Sequence, residues 1–292
     1  KGDAYRISKE TQKRVLEAAQ ESGYIPNVAA RQLLAGSSHS RPEVALFWEQ
    51  DALWYIAKML TKMQELVSAN AIRSMNVKIY PYTPGKLDYW AEILTNKLNN
   101  GFIISTSCRE DVDFLRSISI ETPTVIVHSA MEGFYSILVD DSQNAENVVR
   151  IFNDNKIKNI GVLIDYHESW HMDSAQAFCE AIVRTCDRLG VDLMFMHKYT
   201  PAKEFSAEYI ESLVDLILNG GNIPEGIYVS GASLSVNIVY ALKRRGIRIP
   251  EDLKIITYGI DENTALCDPP VTLLQYPVDE ITEASYREMD RL

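Results

Sequence analysis

The pattern of hydrophobic and polar positions changes once along the chain, near residue 41. Before that point apolar residues recur at helical spacing, and Ser8 and Gly23 are placed to begin and end a first helix. After that point short apolar runs alternate with amphipathic segments. Continuous apolar runs that alternate with helices are typical of parallel sheets covered on both faces. The pattern therefore predicts a helical N-terminal segment followed by an α/β body.

The α/β body is predicted to form two similar lobes. Its strand candidates lie at 44–48, 77–82, 102–106, 124–129, 159–164, 193–198, 226–230 and 254–259. Its helix candidates lie at 51–74, 87–99, 142–153, 171–189, 206–219 and 233–245. Roughly 250 residues of this alternation is long for one sheet, so we expect a first lobe at about 42–141 plus 277–292 and a second at about 142–276. Ligands of such sheets bind beyond the carboxyl ends of the strands.

The N-terminal segment ends in a second, shorter helix. It is predicted from Val28 to Ala35, with Asn27 as its cap and Gly36 at its end. Isolated helices shorter than about 12 residues are marginal in water. We therefore expect this helix to order only when it docks on another surface.

Charge distinguishes the two parts of the chain. The net charge is −11, yet residues 1–41 hold seven Lys and Arg against four Asp and Glu. A basic segment on an acidic body suits an anion-binding element, although an ordinary charged terminal helix has the same composition. The apolar runs are far shorter than the roughly 20 residues that cross a bilayer, and the first residues lack a signal-peptide core. A cytoplasmic protein is expected.

The cysteines give no sign of a zinc site or a disulfide framework. They are widely spaced, and no pair has CxxC spacing: Cys108, Cys179, Cys186 and Cys267. Reduced and mostly buried thiols are the simpler interpretation.

Several segments of the chain are distinctive as a set. The N-terminal one is YRISKETQKRVLEAAQESGYIPNVAARQLLAGSSHS, and the later ones are PTVIVH, ILVDDSQNAENVV, AFCEAI, ALKRRGIRIPEDLKIITYGIDE and PPVTLLQYPVDEI. In this order they resemble the lactose/galactose repressor family of bacterial transcription regulators. The N-terminal segment is similar to the last helix of that family's DNA-binding head and to its hinge helix. The hinge segment and the GIRIPEDLKIITYGIDE block are separate signatures at opposite ends of the chain.

The resemblance implies a repressor that responds to a ligand, not an enzyme. It implies the remnant of a helix-turn-helix head at 1–26, a hinge helix and linker at 27–41, and an effector-binding and dimerisation domain at 42–292. That domain is expected to be two-lobed, like the periplasmic sugar receptors, and to bind its effector between the lobes. The implied partners are operator DNA, a small-molecule effector and a second copy of the chain, with no cofactor and no metal.

The resemblance also assigns the DNA-binding residues. It implies that Leu33 wedges into a base step of the minor groove, where an apolar side chain can kink DNA. Asn27, Ala30 and Arg31 would face the backbone and the groove edges. The alternative for Leu33 is a buried residue in a local helical pair. The recognition helix would precede Lys1 and the chain would end within the family's final helix, so base-specific contacts are assigned to no residue.

The expected effector site departs from the family's pattern. Sugar-responsive members have an aspartate at the position of His128, an arginine at that of Ser174 and an Asn-Asp pair at those of Gly231 and Ala232, and Asp261 alone keeps its identity. Such polar groups fix sugar hydroxyls, so a plain hexose is not expected. The remaining predicted contacts are aromatic or imidazole side chains: Trp54, Tyr55, Tyr166, His167 and Trp170.

Aromatic contacts favour a modified sugar, a glycoside or an aromatic metabolite. Ser174 and Gly231 are expected to leave open space for a bulky group. The alternative is that the aromatic residues fill a cleft that binds nothing.

Two other functions are consistent with single features of the sequence. The segment HESWH, residues 167–171, matches the H-E-x-x-H pattern of zinc hydrolases. That pattern needs the interior of a helix, whereas here it follows directly on a strand candidate, and spacing places no third ligand. A stand-alone solute-binding protein would share the two lobes, but it has no use for the segment 23–36.

Overall fold

The computed structural model of the protein describes residues 41–50, 53–165, 172–199, 206–259, 264 and 267–291. These residues divide into two compact units. The first contains the described residues up to Thr106, then Glu110–Leu138 and the chain from Val278 onward. The second contains Ser107–Arg109 and Val139–Pro277. None of the described helices is both long and apolar enough to span a membrane.

The first unit is built on a five-stranded parallel sheet. Its strands are β1 (Glu43–Glu49), β2 (Asn76–Tyr82), β3 (Gly101–Ser105), β4 (Thr124–Val127) and β5 (Tyr135–Ile137). Their order across the sheet is β2-β1-β3-β4-β5, and each neighbouring pair is parallel. The central strands β1, β3 and β4 are buried almost throughout. Both faces of the sheet are covered, so side chains on both faces are buried. This burial explains why the strands are continuous apolar runs in the sequence.

Helices cover the two faces of the first sheet. They are α1 (Leu53–Ser68), the 3₁₀ turn Leu87–Trp90 with α2 (Ala91–Thr95), and α3 (Arg109–Ser117). The last helix of the chain, α8 (Val278–Arg291), packs against α1 and β4. On the opposite face, Phe47, Phe102 and Ile126 form a core with Leu94 of α2 and Leu115 of α3.

The second unit repeats this plan. Its strands are β6 (Asn159–Asp165), β7 (Asp192–Tyr199), β8 (Gly226–Val229), β9 (Lys254–Gly259) and β10 (Thr272–Gln275). Their order is β10-β9-β8-β6-β7, again parallel throughout. Both sheets therefore have one topology, in which the first strand of each unit lies between its second and third.

The second sheet has a separate core on each face. The helices α4 (Asp141–Asp154) and α5 (Met172–Leu189) contact each other closely, and α4 begins where Asp140 accepts a hydrogen bond from the Gln143 amide. The helices α6 (Ala207–Leu218) and α7 (Ala232–Arg244) form the other core with β8. Ser206 caps α6 by accepting from the Tyr209 amide at 3.1 Å. The predicted α/β class with parallel sheets and flanking helices is confirmed.

Several predicted bounds were wrong for local reasons. The helix predicted at 51–74 is α1, and it ends at Ser68. It ends there because Asn70 takes a left-handed conformation, φ +54°, and the Ala71 amide donates to the Leu66 carbonyl. The helix predicted at 87–99 is a 3₁₀ turn and a short α2, since the Asn96 side chain accepts from the Leu98 amide and ends it. The pattern missed β5, β10, α3 and α8.

Candidate functional site

The shared topology fixes where each unit can bind a ligand. In an open parallel sheet, ligands bind beyond the carboxyl ends of the strands at the switch point. The switch point is the place where the connections from two neighbouring strands run to opposite sides of the sheet. That point lies between β1 and β3 in the first unit and between β6 and β8 in the second. The residues at these strand ends are Trp48 and Ser105 in one unit, and Asp165 and Ser230 in the other.

Three rings meet at the carboxyl edge of the first sheet. The rings of Trp48 and Tyr55 are stacked, with centroids 4.6 Å apart. The imidazole of His128 meets both rings edge-on, at 5.8 Å from Trp48 and 6.5 Å from Tyr55. Trp48 and Tyr55 are 1% and 3% exposed. The structure thus brings together two predicted effector residues, Tyr55 and His128, and adds Trp48.

His128 is held in an unusual conformation. Its φ of +75° lies in the left-handed region that non-glycine residues rarely adopt. Its amide donates to the Ile137 carbonyl at 2.9 Å, and its Nδ1 lies 3.1 Å from the Ser105 hydroxyl. Desolvation by the surrounding side chains lowers the pKa of His128 to about 4. The imidazole is therefore neutral at physiological pH, and its two nitrogens comprise one donor and one acceptor.

The lowered pKa predicts a pH dependence of stability. Because the pKa of His128 falls from 6.5 to about 4 on folding, the unfolded chain binds the proton more tightly. The free energy of unfolding therefore has its full value above pH 6.5, and it decreases by at most about 3 kcal/mol as the pH falls toward 4. Urea unfolding between pH 4 and 7 measures it. Asparagine also adopts a positive φ and does not titrate, so the free energy of unfolding of His128→Asn should depend less on pH. If the variant and the parent protein had the same pH dependence, the lowered pKa of His128 would be contradicted.

Trp48 was missed because its sequence signal is that of a core strand. It is the last apolar residue of the run VALFW, and nothing in that run separates a core tryptophan from one that lines a site. Trp54 lies in the first turn of α1, and its side chain is outside the described part of the structure.

At the carboxyl edge of the second sheet, one hydroxyl joins two strand ends. Ser230 follows β8, and its Oγ accepts a hydrogen bond from the Asp165 amide at 2.5 Å. The hydroxyl of Tyr199, at the end of β7, lies 3.5 Å from the same Oγ. The next residue, Gly231, precedes the first turn of α7 and has an extended backbone. Sequence reasoning selected Gly231 and missed Asp165, Tyr199 and Ser230.

The expectation of open space at Gly231 was wrong. A Cβ added there would lie 2.7 Å from the Tyr199 hydroxyl, closer than side chains tolerate. Tyr199 is only 2% exposed, so its ring cannot easily move aside. The volume that a side chain at position 231 would need is therefore already filled by the Tyr199 side chain of β7.

Two residues, one from α4 and one from β9, form a second polar contact at the carboxyl edge of the second sheet. The Asn144 amide donates to the Tyr258 hydroxyl at 3.4 Å, and the ring of Tyr258 lies 5.6 Å from that of Tyr276. Burial and the nearby Asp141 carboxylate raise the pKa of Tyr258. Its phenol therefore stays protonated and can both donate and accept.

Other predicted site residues lie outside the described residues. They are the DNA-binding set Asn27, Ala30, Arg31 and Leu33, and the effector residues Tyr166, Trp170 and Asp261. The backbone of Ser174 is in α5, but its side chain is not described. HESWH also falls outside. Among the described residues, no cluster of three or more His, Cys, Asp or Glu could hold a metal ion.

Comparison with known proteins gives consistent results. Residues 149–292 match the model of a periplasmic binding protein-like domain. The probable HTH-type transcriptional repressor ExuR of Bacillus subtilis is 20% identical over 94% of this chain and 80% of its own length. The repressor CytR of Escherichia coli is 21% identical over 94% of this chain and 79% of its own.

A solved structure shares the fold. A LacI family transcription regulator from Clostridium acetobutylicum superimposes with a TM-score of 0.71 at 21% identity, covering 84% of this chain and 89% of the other. Identity this low shows the shared fold and nothing finer about the site.

Proposed function

We propose that this chain, a member of the lactose/galactose repressor family of transcription regulators, represses transcription by binding operator DNA and alters that binding when a small molecule occupies its α/β body. The observation that carries the proposal is the repeated topology of two parallel sheets of one order, with aromatic rings at the switch point of the first and the Ser230 hydroxyl at that of the second. A segment with net positive charge precedes them. Such a segment suits a polyanion, and the acidic body does not.

The DNA contacts are assigned to the short helix that the sequence predicts in the N-terminal segment. Asn27 is its predicted cap, and backbone amides at a helix start suit a phosphate. Arg31 would contact phosphates or groove edges, and the small Ala30 allows close approach. Leu33 would insert between bases. DNA as a partner implies a cytoplasmic location.

The effector is proposed to be an uncharged ligand with an aromatic group, such as a modified sugar, a glycoside or an aromatic metabolite. The neutral imidazole of His128 beside the rings of Trp48 and Tyr55 supports this class. Trp54, Tyr166, Trp170, Ser174, Gly231 and Asp261 remain predicted contacts.

The proposal is tested by DNA binding with the full-length protein. Genomic fragments selected by the protein should bind with an affinity that falls steeply with salt, as phosphate contacts require. A compound found by thermal shift among sugars, glycosides, nucleosides and aromatic metabolites should change that affinity by about 5- to 150-fold. Ligand binding without any specific DNA binding would favour a solute-binding protein instead.

Dimerisation is proposed to involve β2. This strand lies at the edge of the first sheet, and an edge strand offers unpaired backbone groups to another chain. Its Ile79 is 39% exposed, and Tyr89 of the following 3₁₀ turn is 79% exposed. A line of aromatic contacts connects this surface to the core, from Tyr89 through Trp90 and Tyr80 to Phe47. Two hinge helices that share one operator site need a two-fold dimer.

Ile79→Arg should therefore weaken dimerisation. A charge in the centre of an interface costs about 2 kcal/mol or more, roughly 30-fold in the dimer dissociation constant. Analytical ultracentrifugation at micromolar concentration measures it. Leu138→Arg is the matched control, since Leu138 is 54% exposed and follows β5 at the opposite edge. A monomeric parent protein, or equal effects of the two variants, would refute the assignment.

A further inference from the structure

Three strands of the second sheet come together around Ser230. Its Oγ accepts from the amide of Asp165, the last residue of β6, and lies 3.5 Å from the hydroxyl of Tyr199, the last residue of β7. Ser230 itself directly follows β8, and its amide donates to the Leu163 carbonyl at 2.9 Å. Ser230 therefore links the ends of β6 and β8, and the Tyr199 hydroxyl at the end of β7 lies beside this link.

The ring of Tyr199 also determines what position 231 can hold. Its hydroxyl is 2.7 Å from the place where a Cβ on residue 231 would lie, and the ring carbon that bears the hydroxyl is 3.9 Å away. The hydroxyl alone therefore excludes a side chain, because removing that oxygen leaves ordinary contact distances. Gly231 and Tyr199 form a matched pair: Gly231 has no side chain, and the Tyr199 hydroxyl occupies the volume that a side chain there would need.

We propose that Tyr199 and Ser230 are positioning residues that set the ligand selectivity of the second unit. Tyr199 is too buried to meet a ligand broadly, so it acts through Ser230 and Gly231. The polar side chain at the end of β8 is the hydroxyl of Ser230, which can exchange hydrogen bonds with hydroxyl groups of an uncharged ligand. This inference rests on the proposed function, because it concerns the effector of the same protein.

The steric part is tested by a double-mutant cycle in the full-length protein. Gly231→Ala should lower the unfolding temperature by several degrees, and Tyr199→Phe should restore most of the loss in the double variant. Additive effects of the two substitutions would overturn the matched pair, since residues that share one volume must couple. Hydrogen exchange of the Asp165 amide should also accelerate in Ser230→Ala, and an unchanged rate would overturn the role of Ser230.

The selectivity part is tested with defined probes. Binding of ortho-nitrophenyl β-D-glucoside, ortho-nitrophenyl β-D-galactoside and the two parent sugars is measured by calorimetry. Tyr199→Phe and Ser230→Ala should change the ratio of affinities between aryl glycoside and parent sugar by about fivefold or more. Tyr240→Phe, on the exposed face of α7, is the matched control and should leave the ratio unchanged. A purely structural role would lower all affinities together, which would overturn selectivity.

The two proposals fail in different ways. If the protein binds no operator DNA, the proposed function fails, whereas the double-mutant cycle and the exchange rate still decide the roles of Tyr199 and Ser230. If operator binding responds to a ligand but the selectivity ratio does not differ between Tyr199→Phe and Tyr240→Phe, the proposed function stands and the inference on selectivity is wrong.

Discussion

Leu33→Ala is expected to weaken operator binding by about 10- to 100-fold and to reduce the bend in the bound DNA. An apolar wedge stabilises an unstacked base step, and the loss of its side chain removes that stabilisation while the cost of unstacking, a few kcal/mol, remains. Fluorescence anisotropy measures the affinity, and electrophoretic mobility of circularly permuted fragments measures the bend. Leu33 lies outside the described residues, so this expectation comes from the resemblance of the hinge segment alone.

The unfolding transition of the α/β body distinguishes a wedge from a core residue. If Leu33 acts only on DNA, its replacement leaves the unfolding temperature unchanged. Leu34→Ala, the adjacent leucine, is the matched control and should weaken binding less. Unaltered operator affinity and bend in Leu33→Ala would remove the basis for the wedge.

Tyr55→Ala is expected to have the largest effect within the α/β body. It removes a ring that is 3% exposed and stacked on Trp48, and deleting a buried aromatic side chain costs about 3–5 kcal/mol in the free energy of unfolding. It also removes the ring that packs against Trp48 and beside His128 in the candidate effector site. Urea unfolding followed by tryptophan fluorescence measures stability, and calorimetry measures effector binding.

Two further substitutions separate the structural and binding effects. Tyr55→Phe retains the stacked ring, so it should remain stable and keep most of the affinity for an aromatic ligand. Tyr135→Ala removes a tyrosine that is 46% exposed and should cost little stability. If Tyr55→Phe lost binding as completely as Tyr55→Ala, a polar contact of the phenol would be responsible instead of stacking.

Of the four edge strands in the described sheets, β2 and β7 were predicted, whereas β5 and β10 show where pattern reading loses accuracy. The central strands β1, β3, β4, β6 and β8 were predicted because burial on both faces makes them continuous apolar runs. In contrast, β5 and β10 contain only exposed and half-buried residues. An edge strand is stabilised by backbone hydrogen bonds to a single neighbour, and those bonds leave no hydropathy signal.

The ends of two helices depended on asparagines that change the backbone conformation or form a local side-chain hydrogen bond. Asn70 ends α1 by adopting a positive φ, and Asn96 ends α2 through its side-chain hydrogen bond. An asparagine is compatible with a helix, a turn or a cap, so its type alone did not decide among them. The surrounding backbone selected the turn in each case.

By itself the sequence determined the α/β class, the parallel sheets and the resemblance to a regulator family, because these follow from burial patterns and from contiguous motifs. It also selected Tyr55, His128 and Gly231 as site candidates. Only the tertiary structure decided that Trp48 joins Tyr55 and His128, and that Tyr199 fills the volume beside Gly231. Those partners come from strands, a helix and loops that are separate in the chain. Their distances are set by how these elements pack, which spacing along a chain does not encode.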